Sequence, residues 1–105
     1  MGNGRRRKSA SENNVPTLTE EARTLLLEAS DDPHGHILHA IYINGVDIQT
    51  NGKQFIEKGN PRSRAAWEGA LDELTNFGLI EDLGYKGEVF QVTRNGYAMA
   101  EMLRT

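Results

Sequence analysis

The stretch NPRSRAAWEGALDELTNFGLI, residues 60–80, decides how the rest of the chain is read. Pro61 suits the first position of a helix, where its missing amide hydrogen costs nothing and its fixed φ is already helical. Asn60 is the expected cap, because its side-chain oxygen can accept an amide hydrogen left unpaired in the first turn. Trp67, Ala70, Leu71, Leu74 and Phe77 then recur at three- and four-residue spacing, which lines one side of a helix of about four turns. Trp67 lies on that stripe and reads as core, not as a stacking platform. Gly78 is the expected stop, and Leu79 and Ile80 open a strand.

Downstream, LGYKG at 83–87 makes the tip of a hairpin and EVFQVT at 88–93 returns from it. Thr93 caps a last helix through Met102, with Tyr97, Ala100 and Leu103 as packing residues. Upstream, GKQFIEK at 52–58 reads as a short helix with Phe55 and Ile56 as its apolar contacts, ended by the break GNP at 59–61. Before it, HILHAIYI at 36–43 and VDIQT at 46–50 flank Asn44-Gly45. Asn-Gly between two β-rich runs is a strong signal for a type I′ hairpin turn. Ile37, His39, Ile41 and Ile43 would share one face; a helix over 36–43 is the alternative, but the alternation and the turn favour strands. The first element is a helix capped by Thr19, with Glu20 and Glu21 at the positive end of its dipole. Ala22, Leu25, Leu26 and Ala29 form its buried stripe, and DDPHG at 31–35 ends it.

Ser63 through Ala70, Leu71 and Leu74, then FGLIE at 77–81, GYKG at 84–87, FQVT at 90–93 and Gly96-Tyr97 resemble the C-terminal part of bacterial winged helix-turn-helix regulators. The resemblance covers about residues 17–103. It implies an α+β winged helix: a three-helix core, a C-terminal β-hairpin wing, an extra hairpin on the N-terminal side and a final helix. The Asn-Gly hairpin stands where that pattern has a single short strand, which squeezes its second helix into residues 52–58.

The chain has 105 residues, enough for one domain, with 37% hydrophobic and 26% charged residues. It has no cysteine, which excludes disulfides, thiolate metal sites and a cysteine nucleophile. No apolar run reaches the roughly 18 residues of a membrane span, and none follows the N-terminal charges as in a secretory signal. A cytoplasmic, non-membrane protein is expected. Residues 1–14 are nearly free of apolar side chains and read as a disordered basic arm, with 15–105 as the domain. Arg5, Arg6, Arg7 and Lys8 make the arm a solvated tail or a contact for phosphate or an anionic surface. An N-myristoylation signal fails at Arg6, where Ser or Thr is needed. The formal charge of −3 hides an asymmetry, for 8 basic and 14 acidic residues remain from Val15 onward, a net −6. That balance is unfavourable for a body lying on nucleic acid.

In winged-helix DNA binders, the helix that matches the one beginning at Pro61 enters the major groove. Carried over, Arg62, Ser63 and Arg64 would meet DNA at that helix N-terminus, whose free amides favour phosphate. Tyr85 and Lys86 would meet it from the wing and Lys53 from the short helix. Lys53, Arg62, Arg64 and Lys86 amount to about four phosphate contacts, hence a salt slope of roughly −3 to −4. The competing reading is of ordinary surface charges, with Arg62 and Arg64 paired to Glu68 or other nearby acids. Asp72 and Glu73, farther along the exposed face, oppose deep insertion.

His34, His36 and His39 beside Asp31 and Asp32 match no closed zinc site, and His39 points to the opposite face by strand parity. Gly45 and Gly52-Lys53 lack the spacing of a phosphate loop. No serine sits in a nucleophile elbow. No metal, cofactor or catalysis is expected. Two functions remain: a DNA-binding domain of a small bacterial or phage regulator, with double-stranded DNA as partner, or a protein-interaction or dimerisation module of a larger signalling or defence protein.

Overall fold

A computed structural model describes residues 17–105. The arm residues Arg5, Arg6, Arg7 and Lys8, with the rest of 1–14, lie outside the described residues. Among the described residues the elements run α1 (Glu20–Asp31), β1 (His36–Tyr42), β2 (Gly45–Thr50), β3 (Lys53–Gln54), α2 (Pro61–Asn76), β4 (Ile80–Asp82), β5 (Val89–Val92) and α3 (Arg94–Arg104). The fold is α+β: three helices and a five-stranded antiparallel sheet of order β3-β2-β1-β5-β4.

Each helix starts where a cap residue stands. The Thr19 hydroxyl accepts from the Ala22 amide, the Asn60 side chain from Arg62 and Ser63, and the Thr93 hydroxyl from Gly96. The α1 stripe is buried as its spacing predicts, at Ala22, Leu25, Leu26 and Ala29. It packs against α2 and α3 and touches β2 and β5. One sheet face supplies Ile37, Ile48, Ile80, Phe90 and Val92 to this core. The buried Thr50 hydroxyl on the same face donates to the His36 carbonyl at 2.7 Å, so it carries no unpaired donor. On the other face Leu38 is exposed.

Two expectations about the middle of the chain are corrected. Tyr42 pairs with Gly45, so the β1–β2 loop is Ile43-Asn44, and neither Asn44 nor Gly45 has a positive φ. The type I′ conformation belongs instead to the second Asn-Gly, where Asn51 has φ 53° and Gly52 φ 74° between the paired residues Thr50 and Lys53. That turn also removes the expected helix over 52–58. It folds the chain back onto β2, Lys53 and Gln54 pair with Thr50 and Gln49, and the Phe55 amide donates to the Ile48 carbonyl at 3.0 Å. A seven-residue helix gains too few internal hydrogen bonds to compete with a ready sheet edge. Phe55 and Ile56 still pack against the core, and the Phe55 ring lies 4.9 Å from the ring of Trp67.

The α2 stripe is buried at Ala70, Leu71 and Leu74, while Trp67 is half-buried and Phe77 exposed. Phe77 is the C-cap residue, just past the last helical turn. On α3, Ala100 is buried and Leu103 packs against the core as expected, but Tyr97 is exposed and Gly96 and Met99 take the inward positions. Ile37 is buried at the sheet centre, whereas Ile41 and Ile43 on the same parity extend beyond the helices and are exposed.

Candidate interaction surface

The amides at the start of α2 are already taken. Asn60 Oδ1 accepts from the amides of Arg62 at 3.0 Å and Ser63 at 3.1 Å, and the Arg64 amide donates to the Asn60 carbonyl at 3.1 Å. Pro61 has no amide hydrogen, so the first turn offers a phosphate no free donor. The Ser63 hydroxyl accepts from the Glu57 amide at 2.9 Å and ties down the preceding loop. This corrects the expectation of a phosphate held by the helix amides, while the Ser63 hydroxyl, accepting from Glu57, keeps its own hydrogen to donate.

The other side chains expected to meet DNA divide into two groups. Arg64 Nε lies 3.2 Å from Glu68 Oε1, the pairing that competed with a DNA contact, and Lys53 Nζ lies 2.8 Å from Glu28 Oε2. Arg62, Tyr85 and Lys86 are exposed, and their side chains make no hydrogen bond or ion pair with another described residue. Lys86 sits at φ 57° in the loop joining β4 to β5.

His39 connects that loop to α2. Its Nε2 is 2.8 Å from Glu68 Oε2, and its Nδ1 is 3.3 Å from the Gly87 carbonyl oxygen. Both ring nitrogens therefore face acceptors. Burial of Glu68 opposes its ionisation, but the hydrogen bonds from His39 and Arg64 outweigh it and hold the carboxyl below the ordinary glutamate range. Farther along α2, Glu73 is not a free surface acid. Its two oxygens accept from the Thr19 amide at 2.9 Å and the Thr19 hydroxyl at 2.8 Å, fastening α2 to the start of α1.

Asp32 is a structural hub. Its Oδ2 accepts from the amides of His34 at 3.0 Å and His36 at 3.1 Å, and its Oδ1 from that of Asn51 at 3.1 Å. Burial raises its pKa, yet these three amides prevail and keep it below the ordinary aspartate range. Glu28 is lowered first by Lys53 and then by Asn51, whose side-chain amide donates to it at 2.9 Å. The rings of His34 and His36 lie 5.9 Å apart, and His39 is on the opposite face. No group of three metal-ligating side chains occurs among the described residues.

The most conspicuous surface lies elsewhere. At the end of the β1–β2 hairpin, Ile41 is 60% exposed, Tyr42 54%, and Ile43 completely. A cleft of about 520 Å³ opens beside it, between the hairpin and the loop that leads into α2. Tyr42, Val46, Ile56 and Pro61 give the cleft apolar walls, and Asp47, Glu57, Lys58 and Arg64 line it with two charges of each sign. No family model, curated protein or solved structure matches this chain. No helix among the described residues is long and apolar enough to cross a membrane.

Sequence reasoning passed over this surface, although a signal was present. Ile41, Tyr42 and Ile43 are three large apolar residues in succession, which a strand buried on one face does not need. The cleft had no such signal, because its walls come from two separate segments, 42–47 and 54–64, that only the fold brings together.

Proposed function

We propose that residues 17–105 form a winged-helix variant that works as a non-catalytic protein-interaction module, with the β1–β2 hairpin tip and the neighbouring cleft as its contact surface. The winged-helix part is supported by the order α1, β1, α2, then the β4–β5 hairpin, with β5 returning to pair with β1. It departs from that pattern in having the β2–β3 turn where the short second helix belongs. The observation that carries the interaction reading is the run of exposed Ile41, Tyr42 and Ile43 beside an apolar-walled cleft. Contiguous exposed apolar side chains rimmed by charge mark contact sites, because leaving them in water forgoes the stabilisation of burial.

Double-stranded DNA is the second reading. One observation favours it: His39 holds the 83–88 loop beside α2, so the exposed Lys86 and the exposed face of α2 belong to one side of the molecule. Against it, Lys53 and Arg64 are paired, the α2 amides are occupied, and Glu68 and Asp72 share the α2 surface. Anisotropy of a labelled mixed-sequence duplex of about 25 base pairs, at about 50 mM salt, separates the two. The interaction reading expects no saturable binding. Salt-sensitive binding that Arg62→Ala and Lys86→Ala each weaken, with unchanged melting temperature, would overturn it in favour of DNA.

A further inference from the structure

We propose that Asn44, at the tip of the β1–β2 hairpin, is a modification site where the chain converts its own side-chain amide to a carboxylate, with water as co-reactant. Asn-Gly favours this chemistry because glycine carries no side chain to shield its backbone nitrogen. The Gly45 nitrogen gives up its proton and attacks Cγ of Asn44. A bond forms from that nitrogen to Cγ, the bond from Cγ to Nδ2 breaks, and Nδ2 leaves as ammonia with the proton. Water then opens the resulting cyclic imide at either of its carbonyls, giving an aspartyl or an isoaspartyl residue. The net change is amide plus water to carboxylate plus ammonium, and nothing is oxidised or reduced.

The fold sets Asn44 apart from the other Asn-Gly pairs. Ile43, Asn44 and Gly45 are all exposed, and the Asn44 side chain makes no hydrogen bond with another described residue. A Cβ built on Gly45 meets nothing within 4 Å, so the space around its backbone is open. Tyr42 and Gly45 are the last pair of the hairpin, and the end of a hairpin opens at little cost while the core stays closed. The Gly45 nitrogen can then reach the roughly 3–3.5 Å from Cγ at which attack begins. Asn51 is held from two sides. Its Nδ2 donates to Glu28 Oε1 at 2.9 Å and its amide to Asp32 Oδ1 at 3.1 Å, so turning its Cγ onto Gly52 breaks the bond to Glu28. Two further Asn-Gly pairs stand outside the turns of the sheet. At Asn95-Gly96 the buried Gly96 donates its amide to the Thr93 hydroxyl at 3.0 Å, and turning it toward Asn95 would undo the start of α3. Asn3-Gly4 lies outside the described residues. Conversion at Asn44 puts a negative charge next to Ile43, and the isoaspartyl form adds a methylene to the backbone of the loop. It requires only an accessible tip, whatever the tip contacts.

The full chain is incubated at about pH 8.5 and about 37 °C, in buffer and in enough guanidinium chloride to unfold it. Peptide mapping by mass spectrometry, with fragment ions to separate Asn44 from Asn51, follows each site over time. In buffer Asn44 is expected to convert at least about tenfold faster than Asn51 or Asn95. In the denaturant the three rates are expected to converge, because no contact then protects any of them. Gly45→Ala, whose added methyl meets no atom within 4 Å, keeps the melting temperature and slows conversion at Asn44 by at least about tenfold. Asn51 or Asn95 converting in buffer as fast as Asn44 overturns the proposal, as does an Asn44 that persists in buffer while converting in denaturant. An unchanged order in denaturant overturns it too, since neighbouring residues and not the fold would then set the rates. Binding of DNA or of a protein enters none of these outcomes, so failure here leaves the interaction reading where it stood.

Discussion

His39 and Glu68 meet at 2.8 Å, and through them the loop after β4 is tied to the middle of α2. The Glu68 carboxyl is held below the ordinary glutamate range, with burial opposing and the His39 and Arg64 hydrogen bonds prevailing. A carboxyl lowered on folding adds stability above its unfolded pKa of about 4.3, and that contribution fades as pH falls through the folded value. Glu68→Gln is therefore expected to cost about 1 kcal/mol at neutral pH and to make the loss of stability below about pH 4.5 shallower. Urea unfolding at a series of pH values checks both. Glu28 and Asp32 are lowered in the same direction, so the acid dependence becomes shallower without vanishing.

Asp32 joins two turns that are distant in sequence, because one carboxylate accepts from His34, His36 and Asn51. Asp32→Ala leaves three amides without their acceptor and is expected to destabilise the domain by about 2–3 kcal/mol. Asp32→Asn keeps one acceptor oxygen and should lose less. Chemical denaturation of the two variants gives the ordering; equal, negligible losses would contradict the hub.

The two Asn-Gly pairs predict unequal responses to the same substitution. Gly52→Ala forces a side chain into a left-handed turn position at φ 74° and is expected to cost about 1 kcal/mol. Gly45→Ala, with no positive φ and no atom within 4 Å of the added methyl, should change stability by less than about 0.5 kcal/mol. Thermal melts distinguish them, and a reversed order would return the type I′ turn to Asn44-Gly45.

Gly96 sits where α3 crosses the backbone near Leu79. A methyl group there would lie far inside contact distance of the Leu79 carbonyl oxygen and 2.8 Å from Val92 Cγ1. Gly96→Ala is expected to cost at least about 2 kcal/mol, since the obstruction is backbone and cannot swing aside. Gly69→Ala on the open face of α2 meets nothing within 4 Å and should stabilise by about 0.5–1 kcal/mol. Calorimetry on the pair, measured in parallel, checks the packing of α3.

Local chemistry made the helices legible. Thr19, Asn60-Pro61 and Thr93 each announce a start through a hydrogen bond made within three residues, and the stripe from Ala70 to Leu74 announces its buried side by periodicity alone. Residues 52–58 were misread because their own pattern is weak. Their fate was set by an upstream turn that offered them the edge of β2. The candidate site shows the same division. Arg62, Tyr85 and Lys86 are exposed as a surface contact requires, whereas Lys53, Ser63 and Arg64 are engaged by Glu28, Glu57 and Glu68. Of these partners, Glu68 is one helical turn from Arg64 and was foreseeable, while Glu28 is 25 residues from Lys53 and was not.

By itself, then, the order of residues determined the caps, the three helices and both long hairpins, because each depends on neighbours a few positions apart, and it set the charge imbalance between arm and body by composition alone. Only the tertiary structure decided which Asn-Gly takes the left-handed turn, which cations remain unpaired, and that Ile43 stands beside a cleft. Those outcomes depend on distances between segments remote along the chain, and such distances exist only once the core around Leu25, Ile37 and Leu74 has closed.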